Sequence, residues 1–237
     1  MAEFGRRGPS AGSHAANSRA LVKDETGAGP WNRGLYRLVR FLLGDLVLRP
    51  YFRLSVRGLE HLPKSGAVIL APNHCSLLDP LVLQSALPRR IVFLMTLAWY
   101  RRRLLRPFFV LMRAIAVRDD GGNRGAMSAA AAALEHGAAL GIFPEGRISA
   151  DGTLRGFQAG AAVLAIRQRV PVVPVRIVGT FAALKKGARI PRPARVSIVL
   201  GPALVAPECV DEPTQRRACA AEFTQRIRAA VEALPST

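Results

Sequence analysis

Short apolar runs alternate with helical segments from Gly58 to the C-terminal end, and this alternation restricts the possible folds more than any other feature. The predicted strands are residues 67–71, 91–95, 114–117, 140–143, 172–178 and 195–201. The predicted helices are residues 80–86, 102–111, 123–136, 157–167 and 213–233. Strands that are apolar throughout are buried on both faces, and the helices between them allow parallel crossovers. We therefore predict an α/β domain over residues 58–237, with a layered, largely parallel sheet flanked by helices.

The charge of the chain restricts the class of ligand. The 34 Lys and Arg residues exceed the 16 Asp and Glu residues, which gives a formal net charge of +18. Nearly all the basic residues are arginines, whose planar fork of donors matches phosphate oxygens. Such a surface attracts anions, namely nucleic acid, acidic lipid headgroups or phosphorylated small molecules.

The cysteines bear on the cellular compartment and on metal binding. The chain has three of them, Cys75, Cys209 and Cys219, at spacings that do not suit a metal site. An odd number argues against a disulfide framework and is typical of a reducing compartment. We expect no metal ligands.

The sequence before the α/β domain divides into two parts. Residues 1–30 are rich in Gly, Ala, Ser and Arg without periodicity, which predicts a disordered tail. Residues 31–57 are predicted as a basic amphipathic helical segment whose helix ends near Pro50. Its arginines recur at helical spacing, at Arg33, Arg37 and Arg40. Leucines cover most of the remaining helix surface.

Two environments suit this helical segment. It can lie in the headgroup layer of a membrane, with Trp31 as an anchor and the arginines toward lipid phosphates. Alternatively, it packs on the protein's own core and turns its arginines to water. No apolar run reaches the roughly 18 residues that a transmembrane helix needs. We therefore expect a peripheral protein that binds the anionic cytoplasmic face of a membrane.

A histidine and an acid follow the first strand of the α/β domain. The stretch "APNHCSLLDP" places His74 five residues before Asp79, after the apolar run "GAVIL". Asp79 followed by Pro80 is also a common helix start, with an acid as N-cap and proline in the first turn. A turn between strand and helix allows the carboxylate to accept a hydrogen bond from one ring nitrogen, which leaves the other free to take a proton.

Two further motifs follow in order, each at a strand boundary: "FPEGRIS" at 143–149 and "VPVVPV" at 170–175. With "NHCSLLD" they resemble the glycerolipid acyltransferase family, whose members include the 1-acylglycerol-3-phosphate acyltransferases. The similarity covers residues 55–204. The resemblance implies that His74 is a general base oriented by Asp79. It also implies transfer of a fatty acyl group from acyl-CoA or acyl carrier protein to a lysophospholipid hydroxyl, with no cofactor beyond that thioester.

The resemblance also implies a set of substrate-binding residues. They are Asn73, Arg118, Glu145, Gly146, Arg147 and Pro171. Arg118 and Arg147 are expected at the acceptor phosphate, Gly146 where the backbone approaches the headgroup, and Pro171 on the acyl-chain side. The chain departs from the family pattern at Arg113, where glycine is usual, and at Ala116, where an aromatic is usual. Arg147 stands where threonine is most common.

Other functions stay open from the sequence. The acceptor can be another lysolipid or glycerol 3-phosphate in place of 1-acylglycerol 3-phosphate. A second mechanism has the Cys75 thiolate carry the acyl group, although neighbouring residues on an extended chain point to opposite sides, which places His74 poorly to activate it. A non-enzymatic basic protein that binds membranes or nucleic acid also accounts for the charge. We expect no nucleic-acid partner, because no zinc-finger or ribonucleoprotein motif accompanies the arginines.

Overall fold

The computed structural model describes residues 30–236, except for 101–102, 104–108, 110–111, 113, 118–123, 186, 189 and 211. The helices are α1 Pro30–Val39, a π-helix Arg40–Leu48, α2 Arg49–Tyr51, a 3-10 helix Leu59–His61, α3 Asp79–Ala86, α4 Leu97–Tyr100, α5 Arg124–Glu135, α6 Gly160–Gln168, α7 Thr180–Ala183 and α8 Pro213–Ala233. The strands are β1 Ser55–Arg57, β2 Val68–Pro72, β3 Ile91–Thr96, β4 Ile115–Val117, β5 Ala139–Gly141, β6 Val172–Val178 and β7 Ser197–Leu200.

These strands form one sheet in the order β1-β7-β6-β2-β5-β3-β4. The five strands from β6 to β4 run parallel to one another, and β7 pairs antiparallel with β6. The predicted α/β class and the largely parallel sheet are confirmed. Each of the six predicted strands occurs within two residues of its predicted ends, and β1 is an additional strand that was not predicted.

The central strand β2 is buried on both faces. Val68 and Leu70 join one hydrophobic cluster, and Ile69 and Ala71 join another on the opposite side. This alternation is the period-two arrangement of side chains along a strand. The first cluster includes α3, while α5, α6 and α8 pack on the second. The sheet therefore lies between two helical layers, which accounts for the continuous apolar runs in the sequence.

Several expectations concern residues at the margins of this core. The tail 1–29 and most of the predicted helix 102–111 lie outside the described residues. The structure pairs Cys209 with Cys219 in a disulfide across 10 residues, and Cys75 is free. The expectation that the cysteines form no disulfide was therefore wrong. The loop before α8 turns back against the helix, which brings the two Cα atoms to 6.2 Å.

The predicted amphipathic helical segment is helical up to Tyr51, and β1 follows it. Its apolar side chains face outward and are about half exposed: Leu35, Leu38, Phe41, Leu42, Leu46 and Val47. Arg37 is exposed, whereas Arg40 turns inward toward α3. The expectation that the arginine stripe faces lipid phosphates together is therefore wrong for Arg40. In the part of the chain that the structure describes, no helix is both long and apolar enough to span a bilayer.

Candidate active site

The loop after β2 brings His74 and Asp79 together. His74 Nδ1 lies 2.9 Å from Asp79 Oδ2. The Asp79 side chain is fully buried, and the His74 side chain is 15% exposed. β2 is a central strand and the loop lies at its carboxyl end, where parallel sheets carry their ligand sites. The predicted pairing of these two side chains is therefore present in the structure.

Asp79 organises the loop as well as the histidine. Its Oδ2 also accepts hydrogen bonds from the backbone N–H groups of Cys75, at 2.7 Å, and Ser76, at 2.8 Å. The alternative that Asp79 is a helix N-cap is wrong, because α3 begins at Asp79 and its N-cap residue is Leu78. The carboxylate therefore closes the turn before the helix and does not cap the amides within it.

The hydrogen bonds around the imidazole define its tautomer. A carboxylate can only accept, so His74 Nδ1 carries the proton that it donates to Asp79. Among the described residues, no group hydrogen-bonds Nε2 of His74. The neutral ring therefore has an acceptor nitrogen, Nε2, which can take a proton from a bound alcohol.

The ring of His74 stacks on Phe143. The two ring centroids are 4.0 Å apart with an interplanar angle of 24°, and Phe93 stacks in turn on Phe143 at 5.9 Å. Phe143 follows β5, the neighbour of β2, so the sheet itself places the aromatic beside the histidine. Phe143 is not among the site residues predicted from the sequence, although an aromatic directly after a buried strand at the same sheet edge was an available signal.

Glu145 is buried and fixes the two loops to each other. Its Oε1 accepts the backbone N–H of His74 at 2.8 Å, and its Oε2 accepts the N–H of Arg155 at 3.3 Å. The N–H of Ser149 donates to the His74 carbonyl at 2.8 Å. Burial raises the pKa of Glu145 above its usual value, while these two backbone donors oppose the rise. Glu145 therefore positions the backbone of His74 through its carboxylate.

Gly146 and Arg147 follow in the same turn. Gly146 has a φ of +70°, and a Cβ there would lie 2.5 Å from the Gln158 amide. The left-handed backbone conformation therefore favours glycine at this position. Arg147 is exposed, at the same edge of the sheet as His74. Its predicted role at the acceptor phosphate stays a prediction.

Asn73 supports the loop through the neighbouring strand. Its Nδ2 donates to the Ile177 carbonyl at 2.9 Å, and its Oδ1 accepts the Ile177 N–H at 2.7 Å. Both polar atoms of the amide are thus engaged with β6. This pairing continues the β2–β6 ladder beyond Pro72 and holds the start of the His74 loop in place.

Pro171 lies away from the His74 loop. Pro171 precedes β6, and its carbonyl accepts the N–H of Ile69 at the amino end of β2. In the β2–β6 register, His74 lies level with Ile177, which is six residues beyond Pro171. Pro171 is therefore about 20 Å from the level of His74, measured along the strand. The structure does not bring Pro171 to the His74–Asp79 pair. Arg118 lies outside the described residues.

Cys75 is buried on the other side of the loop. Its Sγ lies 3.2 Å from the Thr180 hydroxyl. Burial, together with the nearby Asp79 carboxylate, raises the pKa of the thiol to about 12. The thiol is thus protonated near neutral pH, which disfavours a mechanism in which Cys75 carries the acyl group. The described residues contain no cluster of side chains that could hold a metal ion.

Comparison with known proteins places this site in a family. The family model described as Acyltransferase matches residues 53–178, which is more than half of the 237-residue chain and includes the loops that carry His74 and Glu145. The chain belongs to the Acyltransferase family. The resemblance predicted from the three sequence motifs is confirmed by this match.

Curated relatives of this family member include plant, bacterial and human proteins. It is 26% identical over 162 residues to "1-acyl-sn-glycerol-3-phosphate acyltransferase LPAT1, chloroplastic" of Arabidopsis thaliana, covering 67% of this chain and 45% of the relative. It is 29% identical over 135 residues to "1-acyl-sn-glycerol-3-phosphate acyltransferase" of Borreliella burgdorferi, covering 54% and 52%. It is 30% identical over 142 residues to "1-acyl-sn-glycerol-3-phosphate acyltransferase alpha" of Homo sapiens, covering 59% and 50%. The chain thus spans about half the length of the curated relatives it matches.

A solved structure confirms the fold of this family member. The crystal structure of the 1-acyl-sn-glycerophosphate acyltransferase PlsC from Thermotoga maritima superposes with a TM-score of 0.62. The alignment covers 94% of this chain and 100% of that chain at 20% sequence identity. At that level of identity the match shows the shared fold.

Proposed function

We propose that the protein transfers a fatty acyl group from a thioester to the free hydroxyl of a lysophospholipid. The proposed acceptor is 1-acylglycerol 3-phosphate, which gives phosphatidate. The observation that carries the proposal is the His74 Nδ1 contact with the buried Asp79 carboxylate, 2.9 Å long, at the carboxyl edge of the sheet. The names of the curated relatives support this acceptor.

The chemistry requires one proton acceptor. A lipid alcohol is a poor nucleophile near neutral pH, whereas a thioester carbonyl is already activated. As the hydroxyl oxygen attacks the carbonyl carbon, His74 Nε2 takes the hydroxyl proton, and Asp79 stabilises the imidazolium that forms. The tetrahedral intermediate then expels the thiolate, which takes that proton as it leaves. The ester forms, the thioester breaks, and no acyl-enzyme is needed.

The donor and the acceptor bring phosphate groups to a basic protein. Acyl-CoA or acyl carrier protein supplies the thioester, and no other cofactor is required. Arg147 is exposed in the turn that begins with Glu145, where a guanidinium fork can bind the acceptor phosphate. Arg118 is the second proposed phosphate contact.

We expect the protein to act at a membrane surface. The proposed lysophospholipid acceptor resides in a bilayer, and the N-terminal helical segment exposes an apolar face formed by residues such as Phe41 and Leu46. The net charge of +18 complements anionic headgroups. An apolar helical face beside basic residues is the usual composition of a peripheral, interfacial anchor.

The test incubates purified protein with acyl-CoA and a panel of lysolipids and follows free thiol and diacyl product. We expect 1-acylglycerol 3-phosphate to be consumed, and we expect the His74→Ala variant to lose nearly all activity. Consumption of glycerol 3-phosphate or of a lysolipid without a phosphomonoester would reassign the acceptor. Salt-sensitive DNA binding without thiol release would favour the non-enzymatic alternative.

A further inference from the structure

The N-terminal helical segment, residues 30–51, is attached directly to the helix that carries Asp79. Its inner face packs so closely on α3 that a Cβ at Gly44 would lie 2.9 Å from the Ser85 Cβ. On the same face, the Gln84 amide donates a hydrogen bond to the Tyr36 hydroxyl. The opposite face of the segment is apolar and exposed. One short element therefore contacts α3 on one side and presents a lipid-compatible surface on the other.

Two arginines of this segment bind the carboxyl end of α3. Arg40 Nη1 donates to the Ser85 carbonyl at 3.2 Å and to the Leu87 carbonyl at 3.5 Å. Arg49 Nη2 donates to the carbonyls of Ser85 at 3.3 Å and Ala86 at 3.2 Å. The last carbonyls of a helix have no partner within the helix, and the negative end of the helix dipole favours cations there. The two guanidinium groups thus satisfy the end of α3.

Asp45 holds both arginines in place. Its carboxylate lies 3.0 Å from Arg49 Nε and 3.5 Å from Arg40 Nη2. All three side chains are only partly exposed, so solvent screens these contacts less than at an open surface. Asp45 lies on the π-helix close to Phe41 and Leu46, two of the exposed apolar side chains. The Arg40–Asp45–Arg49 cluster therefore connects the outer face of the segment to α3.

The arginine contacts and the His74–Asp79 pair lie at opposite ends of α3. The helix has eight residues, so only about 12 Å separates its two ends. Asp79 is its first residue, and the Asp79 carboxylate holds the Nδ1 of His74. An acid–imidazole contact is sensitive to small displacements, because misplacement of about 1 Å can reduce turnover by about a hundredfold.

We propose that Arg40 and Arg49, held by Asp45, are positioning residues that couple docking of the N-terminal helical segment on a lipid surface to the alignment of Asp79 with His74. The proposal rests on the proposed function, since it assigns a purpose to that catalytic pair and that membrane surface. In it, the arginines touch no substrate. They hold the carboxyl end of α3, the end remote from Asp79. The lipid surface in turn holds the helical segment that carries the two arginines.

The first experiment compares two double variants of the full chain that remove the same charge. Arg40→Gln/Arg49→Gln breaks the contacts with α3. Arg53→Gln/Arg57→Gln is the matched control, because both arginines are exposed, lie outside the segment and, among the described residues, do not hydrogen-bond α3. Each is assayed with lysophosphatidate in vesicles of phosphatidylcholine and phosphatidylglycerol. We expect the first variant to lose about tenfold to a hundredfold in kcat relative to the control, with similar KM and similar vesicle binding.

Two further variants separate positioning from charge and from folding. Asp45→Asn makes the protein more positive, which strengthens binding to anionic vesicles, yet we expect its kcat to fall because the arginines lose their anchor. Arg40→Lys/Arg49→Lys keeps both positive charges and leaves a donor for each carbonyl at the end of α3. We expect its kcat to lie between that of the Gln double variant and that of wild type. Equal kcat in the Gln variant and its control would overturn the proposal. A higher KM or weaker vesicle binding with unchanged kcat would overturn it as well.

A second experiment needs no turnover, so its failure is distinct from failure of the proposed function. Nitrogen-15 NMR of the histidines, assigned with His74→Ala, reports the tautomer of His74. We expect a single Nδ1–H tautomer in wild type with vesicles and a mixture in Arg40→Gln/Arg49→Gln. Added vesicles should slow backbone amide exchange in the last turn of α3 in wild type. They should leave that exchange unchanged in the Gln double variant. A His74 tautomer that is unchanged in the variant would overturn the coupling. An amide exchange rate in wild type that is the same with and without bound vesicles would also overturn it.

Discussion

The imidazole of His74 lies 4.0 Å from the ring of Phe143, and the two planes are nearly parallel. The ring is therefore held on two sides, by a hydrogen bond in its plane and by an aromatic surface across its face. Since Phe143 comes from the loop after β5 and His74 from the loop after β2, neighbouring strands of the sheet maintain this contact.

Replacing Phe143 with leucine tests whether the stack restrains the ring. Phe143→Leu keeps most of the apolar volume but removes the flat surface, which contributes about 1 kcal/mol in aromatic pairs. We expect kcat to fall by about tenfold while KM changes little, because the imidazole gains freedom to rotate away from the acceptor. Phe223→Leu, in the hydrophobic cluster on the opposite face of the sheet, is the control for lost packing and should leave kcat unchanged. Equal effects of the two substitutions would show that the stack has no role in turnover.

Asp79 and His74 should differ in their effects on stability although both are required for turnover. Asp79→Asn removes the acceptor of the His74 proton and also weakens the hydrogen bonds to the amides of Cys75 and Ser76. We expect a loss of at least about a hundredfold in kcat and of about 1–3 kcal/mol in the free energy of unfolding. His74→Ala should abolish turnover with a smaller loss of stability, because the two backbone amides keep their acceptor. Urea denaturation of both variants provides the comparison, and the reverse order of stability would contradict this account of Asp79.

Cys75 should be chemically inert in the native protein. Burial and the Asp79 carboxylate raise the pKa of its thiol to about 12, so near neutral pH almost no thiolate is present. We expect no alkylation of Cys75 by iodoacetamide until urea unfolds the chain, as measured by mass spectrometry. Cys75→Ala should keep most of the activity, with a modest loss of stability from the small cavity. Rapid native alkylation that tracks inactivation would instead support the acyl-thiolate mechanism.

The order of strands and helices was predictable because each central strand is buried on both faces. For that reason β6 is apolar except at Arg176, and its predicted ends coincide with the structure at Val172 and Val178. The His74–Asp79 pair was predictable because both residues lie in one short loop. By contrast, β1 has three residues, two of them exposed and polar, so its pairing with β7 leaves no apolar pattern in the sequence.

Other features depend on register between distant segments, which local sequence does not contain. Pro171 lies at a strand boundary, as predicted, but only the pairing of Ile69 with Val172 shows that this is the amino edge of the sheet. The inward turn of Arg40 similarly depends on the π-helix and on carbonyls near residue 85, which are remote in sequence. The disulfide of Cys209 depends on how the loop before α8 folds back, which the count of cysteines does not specify.

The buried Glu145 should make stability depend on pH. Burial raises the pKa of its carboxyl above the usual value of 4.5, so the folded protein binds this proton more tightly than the unfolded chain does. The stabilising contribution of the carboxyl is therefore fully present below about pH 4.5 and is lost as the pH rises through the raised value. In Glu145→Gln the side chain stays neutral throughout. We thus expect the free energy of unfolding of wild type, relative to this variant, to fall as the pH rises above about 4.5, by at most about 1.4 kcal/mol per pH unit. Urea denaturation across that range measures the difference, with Glu222→Gln on the exposed side of α8 as the control for net charge. A difference that rises with pH would mean that the backbone donors from His74 and Arg155 outweigh burial at this carboxylate.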